Sequence, residues 1–223
     1  EHGFMAGFII VLICIIGAVI WGLYAGRKRR EAMGLLAEQL GLRFDPERNY
    51  HMADRYSFLD KLRQGSNRYA YNILSGLYQD HSITVFDYHY ETYSRDSKGR
   101  RQTHHHHFSF FILKLDRHFP QLTIAKEGLL SKIAQAVGYD DIDFESHEFS
   151  KRFVVRSKDK KFAYDFCNAQ MIDYLLGHLN INIEVDQDSL AIGFSSCLKV
   201  EEIEPHLEQL IRIRSLMPDY LFS

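Results

Sequence analysis

Between Phe4 and Tyr24 the chain carries no charged residue, and this run constrains the fold more than any other feature. Roughly 20 apolar residues rising 1.5 Å each span a hydrocarbon core about 30 Å thick, so the run predicts a transmembrane helix. A cleaved signal peptide would place its positive charges before the apolar run and small residues after it. Here Glu1 precedes the run and Gly26, Arg27, Lys28, Arg29 and Arg30 follow it, which predicts a retained anchor. Either Met5 is the start, or further residues precede Glu1.

Lys and Arg flanking a span stay preferentially on the cytoplasmic side. The cluster Arg27, Lys28, Arg29 and Arg30 therefore predicts an N-out, C-in orientation in the cytoplasmic (inner) membrane. The same four residues are candidates for lipid headgroups, and Trp21 and Tyr24 lie at the same end, as aromatic belts do. Small residues at Cys14, Ala18, Gly22 and Gly26 line one helix face where a second helix could approach closely. Ala18, Gly22 and Gly26 are thus candidate packing positions for a homo-oligomer or a membrane partner, although Gly and Ala are also common in spans.

The remainder is apolar enough to fold: 46% of the 223 residues are hydrophobic, with 16 Phe and 13 Tyr. Beyond residue 30 the chain carries 23 Lys and Arg against 28 Asp and Glu, a mildly acidic balance that argues against nucleic acid as a partner. Cys14, Cys167 and Cys197 have no disulfide or zinc-knuckle spacing.

The pattern divides into an anchor with basic flank (1–30) and a cytoplasmic domain (31–223), with a half-domain split near 138 as an alternative. Helices are predicted over Glu31–Leu40 and Ala53–Leu62. Strands follow at Tyr69–Tyr78 and Ile83–Thr92, joined by a four-residue turn at Gln79–Ser82, then at His107–Leu115 and Leu122–Ala125. The polar, basic stretch Ser94–Thr103 reads as a mobile loop and Leu129–Val137 as a short helix. Further on, a strand is expected at Phe153–Val155, a helix capped by Ser157 and another capped by Asn168. A hairpin is expected with strands Ile181–Val185 and Leu190–Phe194 about Asp186–Ser189, then a helix over Val200–Arg214. Antiparallel hairpins interrupted by helices give an α+β class with one domain of antiparallel strands and packed helices.

Two clusters have ligand chemistry. Period-two geometry sends alternate rings of His104–His107 to opposite faces, so His105 and His107 can join Asp87 and His89 of the neighbouring strand as a metal set. An exposed, non-physiological His tract is the competing explanation. Asp141, Asp143 and Glu145 fall on one face of an extended segment, but without the glycine and glutamate of an EF-hand loop. Nucleophile-elbow, zincin, P-loop and dinucleotide motifs are absent from the sequence, which names no catalytic residue and no cofactor.

The stretch from Asp141 through Leu176, opening D-I-D-F-E-S-H-E-F-S-K-R-F, resembles an uncharacterised family of bacterial single-pass membrane-anchored proteins of unknown function. Its F-S-x-R-F and D-x-x-x-A elements correspond to Phe149, Ser150, Arg152, Phe153, Asp159 and Ala163. The resemblance implies the same layout and no catalytic residues. The sequence thus favours a non-catalytic membrane-tethered interaction or scaffold domain, with the bilayer and another membrane or cytoplasmic protein, or a second copy, as partners. A metal-dependent hydrolase at the cytoplasmic face is the alternative, and a lipid or peptide sensor a third reading.

Overall fold

A computed structural model describes residues 2–126, 141–178 and 180–223, with side chains from residue 11 onward. One unbroken helix, α1, runs over His2–Leu40, about 58 Å at 1.5 Å per residue. It stops at Gly41, whose φ of 69° is the left-handed conformation that ends helices. The chain continues through β1 (Arg43–Asp45), α2 (Tyr50–Arg55), β2 (Ser66–Tyr78), β3 (His81–Arg95) and β4 (Arg101–Lys126). Then come α3 (His147–Arg152), β5 (Phe153–Ser157), α4 (Lys160–Phe166), α5 (Ala169–Leu176), β6 (Asn182–Gly193) and α6 (Ile203–Leu216).

All strand pairs are antiparallel in one sheet, ordered β1-β2-β3-β4-β5 with β6 also on β4. Phe110 pairs with both Phe86 and Gly193, and Ile124 with both Val155 and Ile183. β3 and β5 therefore share one edge of β4 end to end, and β6 covers the other. The sheet joins strands from before and after residue 138, and the class is α+β.

Alternation along the strands divides two cores. Val85, Phe111 and Leu113 face a large cluster with Met33, Leu36 and Ala37 of α1 and with α3 to α6. Phe86, Tyr88, Phe108 and Phe110 face a smaller one with Met52, Ala53, Leu59 and Leu62. Val11 to Tyr24 of α1 touch neither and are exposed throughout.

Several elements differ from the sequence reading. The β2–β3 turn is two residues, Gln79 and Asp80, both with positive φ, the combination that matches strand twist. The basic stretch Ser94–Thr103 forms a ribbon: Ser94 pairs with Gln102 and Arg95 with Arg101. Asp96 closes its turn by accepting from Lys98 N and Arg100 N, with Gly99 supplying φ 77°. The two strands expected at His107–Leu115 and Leu122–Ala125 are one strand, β4, with register shifts around Phe119. Pro120 is tolerated at that irregularity.

Likewise the hairpin expected about Asp186–Ser189 is a single strand. β6 follows β4 from Phe110 to Ile124, and its polar middle lies at the bulge where Gln187 (φ 51°) meets Phe119. A long partner edge made a turn unnecessary. The helix expected over Ala53–Leu62 starts earlier, at the Asn49 cap, and ends at Arg55, with Asp60–Arg63 as a 3-10 turn. Asp159, rather than Ser157, caps α4; Ser157 ends β5 and bonds to Gln121 O and Asp159 N. Asn168 caps α5 as expected. The helix expected at Leu129–Val137 lies outside the described residues.

Candidate functional site

Asp87 sits at the centre of a polar island on the larger face. The Arg29 guanidinium donates twice to it, Nε to Oδ2 at 2.8 Å and Nη2 to Oδ1 at 2.7 Å. Asn72 Nδ2 and Ser109 Oγ also donate to the carboxylate at 3.0 Å each, and Arg29 Nη1 reaches Leu198 O at 2.6 Å. Every strong lone pair of a carboxylate that is 1% exposed is thus used. Burial opposes the Arg29 charge, but Asp87 overrides it and the guanidinium pKa is raised. The other basic flank residues differ: Arg27 pairs with Glu31 on the surface, and Lys28 and Arg30 are exposed.

Two β-bulges shape β2 beside this island. Register shifts bracket Asn67 and Asn72, whose φ values are 47° and 50°. Asparagine is among the side chains most tolerant of this region. The Asn72 bulge lets that side chain reach Asp87 while Tyr71 turns to His107 Nδ1 at 3.0 Å and Cys197 Sγ at 3.9 Å. Burial pushes the Tyr71 hydroxyl far up and the Cys197 thiol up to about 11, so neither ionises near neutrality.

Beyond Asp87 on the same face of β3 come His89 and Glu91. His89 Nδ1 lies 3.0 Å from Asn67 O, an atom that only accepts, so Nδ1 carries the proton and Nε2 the lone pair. That Nε2 is 3.1 Å from His105 Nδ1, and Glu91 Oε1 is 3.5 Å from the same His105 atom. Tyr69 stacks on His89 at 4.5 Å. Asn67 Nδ2 and Tyr93 OH donate to the Glu91 carboxylate at 2.6 and 2.9 Å and hold its pKa below the usual range. Burial lowers the pKa of His89 and His107, keeping both rings neutral at pH 7.

The histidine run alternates as an extended strand requires. His105 and His107 lie on the His89 face; His104 bonds Ser94 Oγ and His106 bonds Thr92 Oγ1 on the other, with His106 stacked on Tyr90. Of the residues singled out from sequence as ligands, His89 and His105 converge, His107 lies beside them with its ring 4.8 Å from His89, and Asp87 is engaged by Arg29. Glu91, which the sequence reading passed over, completes a group whose three ligand atoms lie within 4.8 Å of one another. Its signal was present: Asp87, His89 and Glu91 share one face at period two.

The acidic row is arranged otherwise. Asp141 pairs with Arg156 at 2.6 Å, while Asp143 and Glu145 are exposed. Cys167 is buried, and burial raises its pKa, as in a structural thiol. A groove of about 750 Å³ lies by β1, α2 and β6 and is lined by Arg43, Asp45, Lys114 and Asp188 among others. Its open, polar lining differs from the enclosed apolar pockets that hold small organic ligands.

Along the apolar part of α1, Ala18, Gly22 and Gly26 are exposed, and a Cβ at Gly22 or Gly26 would meet nothing within 4 Å.

No protein-family model matches the chain, and no curated protein matches its sequence. Among solved structures, the crystal structure of the mycobacterial trehalose monomycolate transport factor A, TtfA, superposes with a TM-score of 0.59 over 86% of this chain and 93% of that one. At 12% identity, what the two chains demonstrably share is the fold.

Proposed function

We infer that this chain is a membrane-anchored, non-catalytic accessory factor of a membrane transport assembly, its domain held on the cytoplasmic face of the inner membrane. The observation that carries the reading is α1 itself. Its uncharged part is exposed along Val11–Tyr24, an apolar surface that needs a cover, and its length fits a bilayer. The same helix continues without a break into the core, where Met33 is fully buried and Arg29 is clamped to Asp87. A domain so fixed is presented at the bilayer in one orientation, which suits a part that docks on a membrane protein. The fold shared with a transport factor supports the accessory role, and the basic flank supports the orientation.

The test is native mass spectrometry of the chain extracted from its own membrane in mild detergent through a C-terminal tag without histidine. A stoichiometric complex with a multi-span membrane protein is expected. A bare monomer across several detergents, with no assembly recovered by cross-linking before extraction, overturns the reading. Orientation is checked by maleimide labelling of Lys98→Cys, which should react in opened but not in sealed cells.

A further inference from the structure

We propose that His89, Glu91 and His105 form a divalent transition-metal site at the base of the β3–β4 ribbon. Glu91 and His105 are direct cross-strand partners and His89 is one step diagonal, so the three come from two adjacent strands on one face. Around a tetrahedral zinc with bonds of 2.0–2.1 Å, neighbouring ligand atoms stand about 3.3 Å apart. Here His89 Nε2 to His105 Nδ1 is 3.1 Å and His105 Nδ1 to Glu91 Oε1 is 3.5 Å, and the remaining edge lies within 4.8 Å. A small rotation of the exposed His105 ring closes the set. Two imidazoles and a carboxylate are a donor combination suited to Zn²⁺ and related first-row ions, with the outward position open to water.

The surroundings are built as metal sites usually are, with outer groups that orient the ligands. A single residue, Asn67, does this for two of them. Its carbonyl takes the His89 Nδ1 proton, aiming the Nε2 lone pair at the site, and its amide donates to Glu91. It reaches both because its backbone is left-handed at a β-bulge, and such strained positions cluster at functional sites. The site also has structural work available. Past it the ribbon Thr92–Thr103 is a two-stranded projection with residues exposed on both faces, an element marginal in water. An ion bound by β3 and β4 staples that projection at its root.

The decisive experiment uses the full chain in detergent, tagged without histidine, stripped with chelator and titrated calorimetrically with Zn²⁺. One equivalent is expected, with at least tenfold weaker binding in both Glu91→Gln and His105→Ala, and unchanged binding in the His104→Ala/His106→Ala double variant. Because His105 is exposed, His105→Ala tests the site without threatening the fold. Hydrogen exchange of Thr92–Thr103 should slow on adding Zn²⁺ in the parent and not in His105→Ala. Loss of binding in the double variant together with indifference to Glu91→Gln would show adventitious capture by the His tract and overturn the proposal, as would no binding at all. None of these readouts depends on a transport partner, so this site and the accessory role stand or fall separately.

Discussion

Arg29 and Asp87, 58 positions apart in sequence, form a bidentate ion pair that fastens the long N-terminal helix to the third strand of the sheet. Removing one member of a buried pair leaves the other charge uncompensated, at a cost of about 3–5 kcal/mol. Arg29→Ala and Asp87→Asn should therefore each lower the unfolding temperature of the detergent-solubilised chain by several degrees. Arg29→Lys should restore little, since a point-like ammonium cannot reproduce the fork. Were Arg29 mainly a headgroup contact, Arg29→Ala would weaken vesicle binding and leave thermal unfolding unchanged.

Glu184 faces the smaller core, where it accepts from Lys61 N at 3.1 Å and its pKa is pushed up to about 7 by burial, with Asp60 adding to the rise and Lys61 opposing it. A carboxyl whose folded pKa lies above its unfolded value stabilises the fold at low pH and loses that contribution as pH rises through about 7. Glu184→Gln keeps the acceptor for Lys61 N without the charge. It should raise thermal stability at pH 8 by about 1–3 kcal/mol and change it little at pH 4.5. An equal effect at both pH values would remove the titration explanation.

Much of this architecture was legible because it is local. The apolar N-terminal helix declares itself through missing charges, and β2, β3 and the α5 cap through alternation and Asn168. The long strands β4 and β6 were not, because charged Lys114, Asp116 and Arg117 near Pro120, and Asp186 with Asp188, read as turn signals. Both stretches are instead the matching irregular middles of two paired strands. The histidines of the candidate site were visible from period-two geometry. Arg29 on Asp87 and Asn67 beneath His89 and Glu91 were not, since tertiary docking and a bulge have no periodic trace.

Gly65 carries the chain into β2 with φ 61°, directly against β3: a Cβ there would stand 2.3 Å from Glu91 O and 2.6 Å from the Tyr90 ring. Gly65→Ala should cost about 1–3 kcal/mol in backbone strain alone, and more from the clash with backbone. Because the displaced carbonyl belongs to Glu91, the same change should weaken Zn²⁺ binding along with stability. Circular dichroism melts and zinc calorimetry on one preparation check both effects; a full-affinity zinc site in a destabilised Gly65→Ala chain would separate them.

In the apolar part of α1, replacing Ala18, Gly22 and Gly26 by Leu adds side chains to an exposed face: a Cβ at either glycine meets nothing within 4 Å and Ala18 is exposed. A Cβ at either glycine meets no neighbouring atom of the chain, and extra apolar bulk does not hinder insertion. Close helix–helix approach does depend on small residues at fourth positions. The triple Leu variant should thus keep the parent's melting temperature while its assembly dissociates, read as a fall in detergent-corrected mass by light scattering or as loss of the partner. Replacing Val11, Val19 and Leu23 by other large apolar residues should leave the assembly intact. An unchanged mass in the triple Leu variant would remove the small-residue face from the interface and leave the sheet domain as the site of association.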